Sequence, residues 1–474
     1  MHSLENVVKA YDVRGLVGPE IDADVTRALG VAFADVVVVP ETPDGERPRA
    51  VVGYDMRPSS PELSGAFAEG LASRGVDVTV IGLASTDGLY YASGVTDAPG
   101  AMFTASHNPA AYNGIKLCRA GARPVSSDTG LRAVRERAEA LLDGAPSDPA
   151  AVPGTVTQED LLRGYAEHLR GLVDLSANRP LKVVVDAGNG MAGLTTPAVL
   201  GEAAGLPALP LDVVPLYFEL DGTFPNHEAN PLEPANLRDL QAKVVEVGAD
   251  VGLAFDGDAD RCFVVDERGA PVSPSAVTAL VAEREVAKER AAGRDATVIH
   301  NLITSRAVPE IIAESGAKGV RTRVGHSFIK AEMATADAVF GGEHSAHYYF
   351  RDFWFADTGM LAALHVLAAL GESDGPLSAL GARYERYVAS GEINSRVDDV
   401  VAAAARVEAA FAGRDGVEVD RLDGLTVTHA AAPMWWFNLR PSNTEPLLRL
   451  NAEAHDEATM AALRDEVLGL VRAG

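Results

Sequence analysis

Three polar segments of the chain hold side chains that could do chemistry. Ser106 lies in a short loop at 104–109, directly after the apolar run 100–103. Three aspartates alternate in the second segment, 256–261, and the third, 440–446, combines an arginine with serine, asparagine and threonine. A hydroxyl that carries a phosphoryl group, carboxylates that hold a metal ion and a loop that binds phosphate would together perform metal-assisted phosphoryl transfer.

Each segment taken singly also has an ordinary interpretation. A Ser-His pair before Asn-Pro is usually a turn, because the residue before a proline is pushed out of the helical region. An Asp-x-Asp-x-Asp run is often a solvated turn, and a polar loop is a common surface connection. The three segments support one another because one chemistry uses all of them.

The aspartate segment suits a hard cation. Asp256, Asp258 and Asp260 follow the apolar run 251–255 and precede another, so they occupy a tight loop between two predicted strands. Alternate carboxylates offer the oxygen ligands that such ions prefer. An EF-hand is excluded because its sixth position must be glycine and here is Arg261. Mg²⁺ is favoured, and Arg261 is placed to meet the same phosphate.

The same aspartates allow an alternative. An apolar strand running into Asp-x-Asp looks like the opening of a haloacid-dehalogenase-type phosphatase, in which Asp256 would be the nucleophile. The third position, Asp260 followed by Arg261, fits that pattern poorly. That family also leaves the serine loop unexplained.

Two glycine motifs are weaker signals. Residues 188–193 match G-x-G-x-x-G after a strand, with Asp212 where a ribose-binding acid could lie, but nothing downstream suggests hydride chemistry. A tight turn is the ordinary interpretation. Residues 371–375 match G-x-S-x-G but follow a helix-like run, so the context of a nucleophile elbow is missing.

Composition bounds the partners and the compartment. The chain has 474 residues and a net charge of −26, which argues against nucleic acid and anionic membranes as partners. We see no apolar run of membrane-spanning length and expect no signal peptide. The two cysteines, Cys118 and Cys262, fit a reducing cytoplasm. We expect a cytoplasmic protein that is a monomer or homodimer.

Three stretches repeat a strand–helix–strand pattern. The first unit has predicted strands at 50–55 and 78–81, with a helix that opens at Ser60-Pro61 between them. The second has strands at 183–186 and 208–214, with a helix that opens at Thr196-Pro197 and ends near Gly205. The third has strands at 297–301 and 320–324, with a helix that runs through Pro309. Leu63, Phe67 and Leu71 lie on one face of the first helix. Such units imply mixed or parallel sheets covered by helices.

The tail differs. A helix is predicted at 400–411, short strands at 425–427, 435–439 and 447–450, and a final amphipathic helix with Met460, Leu463, Val467 and Leu470 on one face. The fold class is therefore α/β: three topologically similar mixed-sheet α/β domains plus a smaller C-terminal α+β domain around a central cleft. We expect domains at 1–153 (serine loop), 154–266 (metal loop), 267–376 (sugar-binding loop) and 377–474 (phosphate-binding loop).

With these features the chain resembles the α-D-phosphohexomutase superfamily, essentially from end to end. The segments at 11–15, 53–57, 112–116 and 342–347 match family motifs in order. The Glu343-x-Ser345-x-His347 form is closest to the phosphomannomutase/phosphoglucomutase branch. The phosphoglucosamine mutase branch, which typically has glutamine at the position of His344, remains the alternative.

The resemblance implies a mechanism. Ser106 would carry a phosphoryl group and give it to a hexose 1-phosphate or 6-phosphate, forming a bound 1,6-bisphosphate that turns over in the cleft. Mg²⁺ would be held by Asp256, Asp258, Asp260 and an oxygen of phosphorylated Ser106. Glucose 1,6-bisphosphate or mannose 1,6-bisphosphate would act as activator. A catalytically idle sugar-phosphate-binding protein is the rival from another class.

The resemblance also assigns residues. Lys116, Arg14, His107 and His326 are the candidates for proton transfer and charge stabilisation, with Lys116 favoured beside the reacting hydroxyl. The residues expected to bind the substrate are Arg261, Gly325, Glu343, Ser345, His347, Arg440, Ser442, Asn443, Thr444 and Arg449. Related enzymes often carry a lysine in the turn at 300–306; here Arg306 and Arg323 are the candidates to replace its charge.

Overall fold

The computed structural model describes residues 2–147, 149–441 and 447–473, with the backbone alone at His326 and Ser327. The chain divides into two compact units. The first comprises Met1–Val272 and Ser345–Ser378, and the second Ser273–His344 and Ala379–Gly474. Within the described residues, no helix combines the length and apolar character that a bilayer crossing requires.

The first sheet of the first unit is mixed. Its strands are β1 (Val13–Leu16), β2 (Arg49–Tyr54), β3 (Asp77–Leu83), β4 (Gly100–Phe103), β5 (Tyr112–Arg119), β6 (Arg123–Pro124) and β7 (Val156–Gln158). They are ordered β1-β5-β4-β2-β3-β7, with β6 on β5. β2 is parallel to β3 and β4, and β4 is antiparallel to β5. The loop between β4 and β5 therefore lies at the end of the sheet where the parallel strands β2, β3 and β4 have their carboxyl ends.

Helices cover this sheet. They are α1 (Ala23–Phe33), α2 (Val39–Glu41), α3 (Ser60–Ser73), α4 (Thr86–Thr96) and α5 (Leu131–Leu142). Leu63, Phe67 and Leu71 of α3 are buried in the core of this domain, as their helical spacing predicts.

The second sheet of this unit holds the aspartate loop. Its strands are β8 (Leu181–Asp186), β9 (Leu211–Leu216), β10 (Val251–Phe255), β11 (Cys262–Asp266) and β12 (Pro271–Val272), in the order β12-β11-β10-β8-β9. β10 is antiparallel to β11 and parallel to β8. The loop joining β10 and β11 is the predicted tight connection. The neighbouring helices are α6 (Leu162–Leu172), α7 (Ala192–Val199) and α8 (Arg238–Val247).

The predicted start of α7 is wrong. The helix begins at Ala192 and ends at Val199, so Pro197 lies inside it and not in its first turn. The backbone N–H of Met191 donates to the carbonyl of Gly257 (2.9 Å), which anchors the chain just before the helix. A proline is favoured in a first turn but does not define one, and this tertiary contact sets the start.

The second unit contains a further α/β arrangement and the tail. β13 (Thr297–Asn301) is parallel to β14 (Lys318–Thr322) and to β15 (Phe340–Gly342). The helices beside them are α9 (Pro274–Ala291), α10 (Ala307–Glu314) and α11 (His326–Ala336). In the first unit, β16 (Tyr348–Phe350) and β17 (Ala356–Asp357) pair antiparallel before α12 (Gly359–Gly371).

The tail forms an antiparallel sheet with two helices. After α13 (Leu377–Gly381), the remaining elements are β18 (Val388–Arg396), α14 (Val400–Phe411), β19 (Val417–Asp420), β20 (Leu425–His429), β21 (Trp435–Pro441), β22 (Leu447–Ala454) and α15 (Glu457–Val471). The sheet order is β18-β22-β21-β20-β19. Phe411 of α14 and Val467 of α15 share a core with Val427 and Phe437. The predicted α14 and the apolar face of α15 are confirmed.

A buried carboxyl ties three helices of the first unit together. Asp87, in the first turn of α4, accepts hydrogen bonds from the hydroxyls of Tyr165 in α6 (2.7 Å) and Thr358 at the start of α12 (2.6 Å). It also accepts one from Ser85. Burial raises the pKa of Asp87 to about 6, although these hydroxyls favour the ionised form.

Replacing Asp87 with asparagine should therefore change how stability depends on pH. The pKa of Asp87 rises from 3.8 to about 6 on folding, so the folded state takes up a proton between these values. Stability is lost as the pH rises through that window, by up to about 3 kcal/mol. The neutral side chain of an asparagine at this position lacks this dependence. Urea unfolding at pH 4.5 and pH 7 should show Asp87→Asn gaining relative to the parent protein as the pH rises.

The exposed Asp128→Asn variant serves as control for that series. A difference in unfolding free energy between Asp87→Asn and the parent that stays constant from pH 4.5 to pH 7 would contradict the assignment.

Candidate active site and metal centre

Ser106 is held in a strained backbone conformation between β4 and β5. Its φ of 49° lies in the left-handed region, which costs a residue with a side chain on the order of 1–3 kcal/mol. Its N–H donates to Thr104 Oγ1 (2.8 Å). The pairing of Phe103 with Ile115 fixes the strands on both sides of the loop. Strain of this kind marks Ser106 as a candidate functional residue.

The serine loop and the aspartate loop are in direct contact. Ser106 Oγ donates a hydrogen bond to Asp256 Oδ2 (2.8 Å). A Cβ at Gly257 would lie 2.5 Å from the carbonyl oxygen of Ser106, so only glycine allows this approach. The two loops predicted to share one chemistry are therefore adjacent in the fold.

One oxygen of Asp258 and one oxygen of Asp260 are held by donors. Lys116 contacts both aspartates, and Thr86 contacts Asp258. Lys116 Nζ lies 2.7 Å from Asp258 Oδ2 and 2.5 Å from Asp260 Oδ2. Thr86 Oγ1 also donates to Asp258 Oδ2 (2.6 Å). The other oxygens, Asp258 Oδ1 and Asp260 Oδ1, are buried and have no hydrogen-bond partner among the described residues.

These oxygens fit a divalent cation. Asp256, Asp258 and Asp260 each offer an oxygen within 4.8 Å of the others, and all three side chains are buried. A buried carboxylate oxygen without a donor is costly unless a positive charge compensates it. The acidic group could therefore hold a hard metal ion through the oxygens that lack donors, while Lys116 and Thr86 fix the other oxygens of Asp258 and Asp260.

The charges are strongly coupled. Burial opposes ionisation of Lys116, but the carboxylates of Asp258 and Asp260 raise its pKa well above the ordinary value. Burial likewise works against ionised Asp258, yet Lys116 lowers the pKa of that carboxyl. Burial and the neighbouring Asp258 raise the pKa of Asp260. The carboxylates of Asp258 and Asp260 thus favour the charged form of Lys116.

Arg261 and His107 complete the surroundings of the serine. Arg261 Nε donates to Asp256 Oδ2 (2.9 Å), and its NH2 donates to His107 Nδ1 (2.6 Å). His107 Nδ1 also lies 3.2 Å from Ser106 Oγ. Burial and the positive charge of Arg261 hold the pKa of His107 well below its usual range. The imidazole is therefore neutral, with Nδ1 as an acceptor.

Arg14 reaches the same loop from β1. It donates to Asn108 Oδ1 (2.7 Å), and its other guanidinium nitrogen pairs with Asp12 (2.6 Å). Its charge therefore lies beside the loop that carries Ser106.

The Glu343-x-Ser345-x-His347 motif crosses the division between the two units. In the first unit, Ser345 Oγ lies 3.0 Å from His347 Nδ1, and His347 Nε2 lies 3.7 Å from Asp260 Oδ1. In the second unit, Glu343 Oε1 accepts hydrogen bonds from Asn301 Nδ2 (3.1 Å) and from the N–H of Gly325 (3.4 Å). The structure thus joins Ser345 and His347 to the aspartate loop, and Glu343 to Gly325.

Arg440 and Arg449 face each other on β21 and β22. Both pair with Glu392, at 3.1 Å and 3.4 Å, so two guanidinium groups share one carboxylate. Both guanidinium groups thus lie on the two strands that adjoin the predicted phosphate-binding loop. Ser442, Asn443 and Thr444 lie outside the described residues, as does the side chain of His326.

The sequence interpretation missed several supporting residues. Thr86 and Asp87 belong to no recognised motif, and Arg57 lies in a family motif that by itself implies no role.

The glycine turn at 188–190 has a packing role: a Cβ at Gly190 would lie 2.7 Å from the carbonyl oxygen of Gly257. Gly371 is the last residue of α12, so the G-x-S-x-G match indeed lacks the strand of a nucleophile elbow.

Family models match the chain in four consecutive segments. The models for the phosphoglucomutase/phosphomannomutase alpha/beta/alpha domains I, II and III match residues 5–142, 163–269 and 273–387. The model for the C-terminal domain of the same family matches residues 392–470.

Individual proteins agree with these models. A phosphomannomutase of Salmonella montevideo is 41% identical over 469 residues, covering 98% of each chain. A protein of Xanthomonas campestris pv. campestris named phosphohexose mutases is 41% identical over 468 residues, also covering 98% of each. The crystal structure of a phosphoglucomutase/phosphomannomutase family protein from Burkholderia thailandensis has a TM-score of 0.84 and 32% identity, covering 100% of this chain and 99% of that one.

These matches confirm the predicted resemblance and the fold class of three similar mixed-sheet α/β domains with a smaller C-terminal sheet domain. They do not favour the haloacid-dehalogenase or phosphoglucosamine mutase alternatives. The chain belongs to the phosphoglucomutase/phosphomannomutase family.

Proposed function

We propose that this enzyme interconverts hexose 1-phosphate and hexose 6-phosphate, with mannose, glucose or both as the sugar, through a phosphoserine at Ser106 and a bound 1,6-bisphosphate. The observation that carries the proposal is the contact of Ser106 Oγ with Asp256 (2.8 Å), beside Arg261 and the three-carboxylate group. The phosphomannomutase relatives support the reaction class.

The chemistry follows from this arrangement. The bond between phosphorus and Ser106 Oγ breaks as a sugar hydroxyl forms a new bond to phosphorus; the hydroxyl loses its proton, and Ser106 Oγ takes up one proton as it leaves. The second half-reaction reverses these steps and returns the other phosphoryl group to Ser106. The guanidinium of Arg261, 2.9 Å from Asp256 Oδ2, would offset the charge that develops on the moving phosphoryl group. Asp256, Asp258 and Asp260 would hold Mg²⁺, which supplies further positive charge when bound.

Lys116 takes a defined role in this proposal. Nζ lies 2.7 Å from Asp258 Oδ2 and 2.5 Å from Asp260 Oδ2, so an ammonium at this position offsets the charge of both carboxylates. We therefore assign Lys116 to charge stabilisation and to holding the two carboxylates, and proton release from it requires that these contacts change. The sequence-based expectation that Lys116 exchanges a proton with the reacting hydroxyl stays a prediction.

Substrate recognition is assigned to two groups of residues. Glu343, Ser345 and His347 would contact sugar hydroxyls, Gly325 would also bind the substrate, and His326 stays a candidate for proton transfer. The phosphate that is not reacting would be held by Arg440, Ser442, Asn443, Thr444 and Arg449. The position of Arg440 and Arg449 on adjoining strands, where both contact Glu392, supports this assignment. A 1,6-bisphosphate of glucose or mannose would prime Ser106, and we retain the four predicted domain boundaries.

The alternative nucleophile is disfavoured by its contacts. Asp256 Oδ2 accepts from Ser106 and Arg261, and Oδ1 accepts from the N–H of Arg261 (3.2 Å). Both oxygens of Asp256 are therefore engaged by donors, whereas an attacking carboxylate oxygen needs a free approach to phosphorus.

The first prediction concerns Ser106 itself. After incubation with Mg²⁺ and glucose 1,6-bisphosphate radiolabelled in phosphate, phosphopeptide mapping should place the label on Ser106. The Ser106→Ala variant should take up no label and lose mutase turnover, while Ser127→Ala, a serine bonded to backbone carbonyls of the same domain, should behave as the parent. Full turnover by Ser106→Ala, or an acid-labile adduct at Asp256, would refute the mechanism.

The second prediction concerns the carboxylates. Asp258→Asn should lower Mg²⁺-dependent turnover by about a hundredfold or more, because it removes charge from the proposed metal ligands and the partner of Lys116. Circular dichroism should show an unchanged fold. Asp250→Asn, which alters a carboxylate paired with Arg179 at the start of the same β10 strand, is the matched control. Undiminished activity of Asp258→Asn would refute the metal assignment.

A further inference from the structure

The guanidinium group of Arg57 holds the serine loop by its backbone. Its NH2 donates to the carbonyls of Ser106 (2.9 Å) and Asn108 (2.7 Å), and its NH1 donates to those of Pro109 (2.9 Å) and Tyr112 (3.0 Å). Nε pairs with Asp55 Oδ2 (3.2 Å). A guanidinium has five N–H groups, and these contacts use all of them. Four of the five fix one seven-residue stretch.

The hydrogen bonds from Arg57 to the loop carbonyls compensate the backbone strain at Ser106. The left-handed φ of 49° persists only if the surroundings over-determine it. Arg57 binds the carbonyl of Ser106, while Thr104 Oγ1 accepts from its N–H (2.8 Å). Both peptide groups flanking the Ser106 Cα are therefore held, and the direction of the Ser106 side chain is set by them.

Arg57 is itself fixed on all sides. Its side chain is fully buried, and its carboxylate partner Asp55 also accepts from the N–H of Arg57 (3.0 Å) and from Ser60 Oγ (2.7 Å). The ring of Phe224 lies over the guanidinium at 5.1 Å. A Cβ at Gly222 would lie 2.6 Å from Arg57 Cα. The guanidinium therefore has no room to follow a moving loop.

We propose that Arg57 is a positioning residue for phosphoryl transfer, which sets the direction of Ser106 Oγ through the backbone of the 106–112 loop. This rests on the proposed function of Ser106. Nothing places Arg57 against a sugar or phosphate; it acts through the carbonyls. Weakening these hydrogen bonds lets Ser106 relax to a negative φ, which moves Oγ away from Asp256 and from Arg261.

The test is the conservative variant Arg57→Lys. An ammonium keeps the charge but offers three donors without a planar fork, so it cannot hold four carbonyls in this geometry. Misplacing a reacting group by about 1 Å costs on the order of a hundredfold in rate. We expect kcat to fall by about 10- to 100-fold, with the KM for the hexose phosphate changed by less than about threefold, because the sugar-binding residues are untouched.

Two controls separate positioning from general destabilisation. Arg74→Lys alters an arginine of the same domain that pairs with Asp35 at the C-terminal end of α3, so the melting temperature of this variant should fall without a loss of kcat. Phe224→Leu removes the ring above the guanidinium but leaves all five hydrogen bonds, and should retain at least half of the parent kcat.

Labelling at Ser106 distinguishes the two levels of the proposal. If the parent protein takes up no label at Ser106, the proposed function fails whatever Arg57→Lys does. If the parent is labelled and folded Arg57→Lys keeps kcat within twofold, or changes KM alone, the positioning role is overturned. If Arg57→Lys does not fold, Asp55→Asn is measured instead, because it weakens the contact that holds Arg57 Nε. A kcat of Asp55→Asn within twofold of the parent value would overturn the positioning role of Arg57. A fall in kcat of threefold or more would support that role.

Discussion

Three buried carboxylates within five residues of one loop create the constraint on which the site depends. Asp256, Asp258 and Asp260 are contacted by two cations, Lys116 and Arg261, and burial makes it costly for all three carboxyls to be ionised together without further positive charge. Burying uncompensated charge is costly, and the oxygens without donors show where compensation is needed. A bound divalent ion resolves this cost, and a phosphoryl group brought beside it finds positive charge already in place.

The rest of the first unit serves to present Ser106 to that group. The hairpin of β10 and β11 makes the aspartate loop tight, and glycines at 190 and 257 let three backbone segments approach within contact distance. Arg57 and Thr104 then hold the serine in a conformation that it would not adopt alone. Catalytic precision here comes from buried arginine and glycine as much as from the reacting side chains.

Much of this could be predicted from local sequence. Apolar runs on both sides of the aspartates predict the strand–loop–strand, and helical spacing predicts the buried face of α3. What failed depends on long-range contacts. The start of α7 is set by Gly257 and not by Pro197, and Thr86 reaches Asp258 across 172 residues of sequence. The contact of Lys116 with Asp258 and Asp260 likewise joins segments that only the fold brings together.

The most direct test of the central claim is an anomalous difference map from a crystal soaked in Mn²⁺, which takes the same oxygen ligands as Mg²⁺. The account predicts a peak in contact with oxygens of Asp256, Asp258 and Asp260, with Lys116 still held beside Asp258 and Asp260. A map without a peak at these three carboxylates, at saturating Mn²⁺, would contradict it.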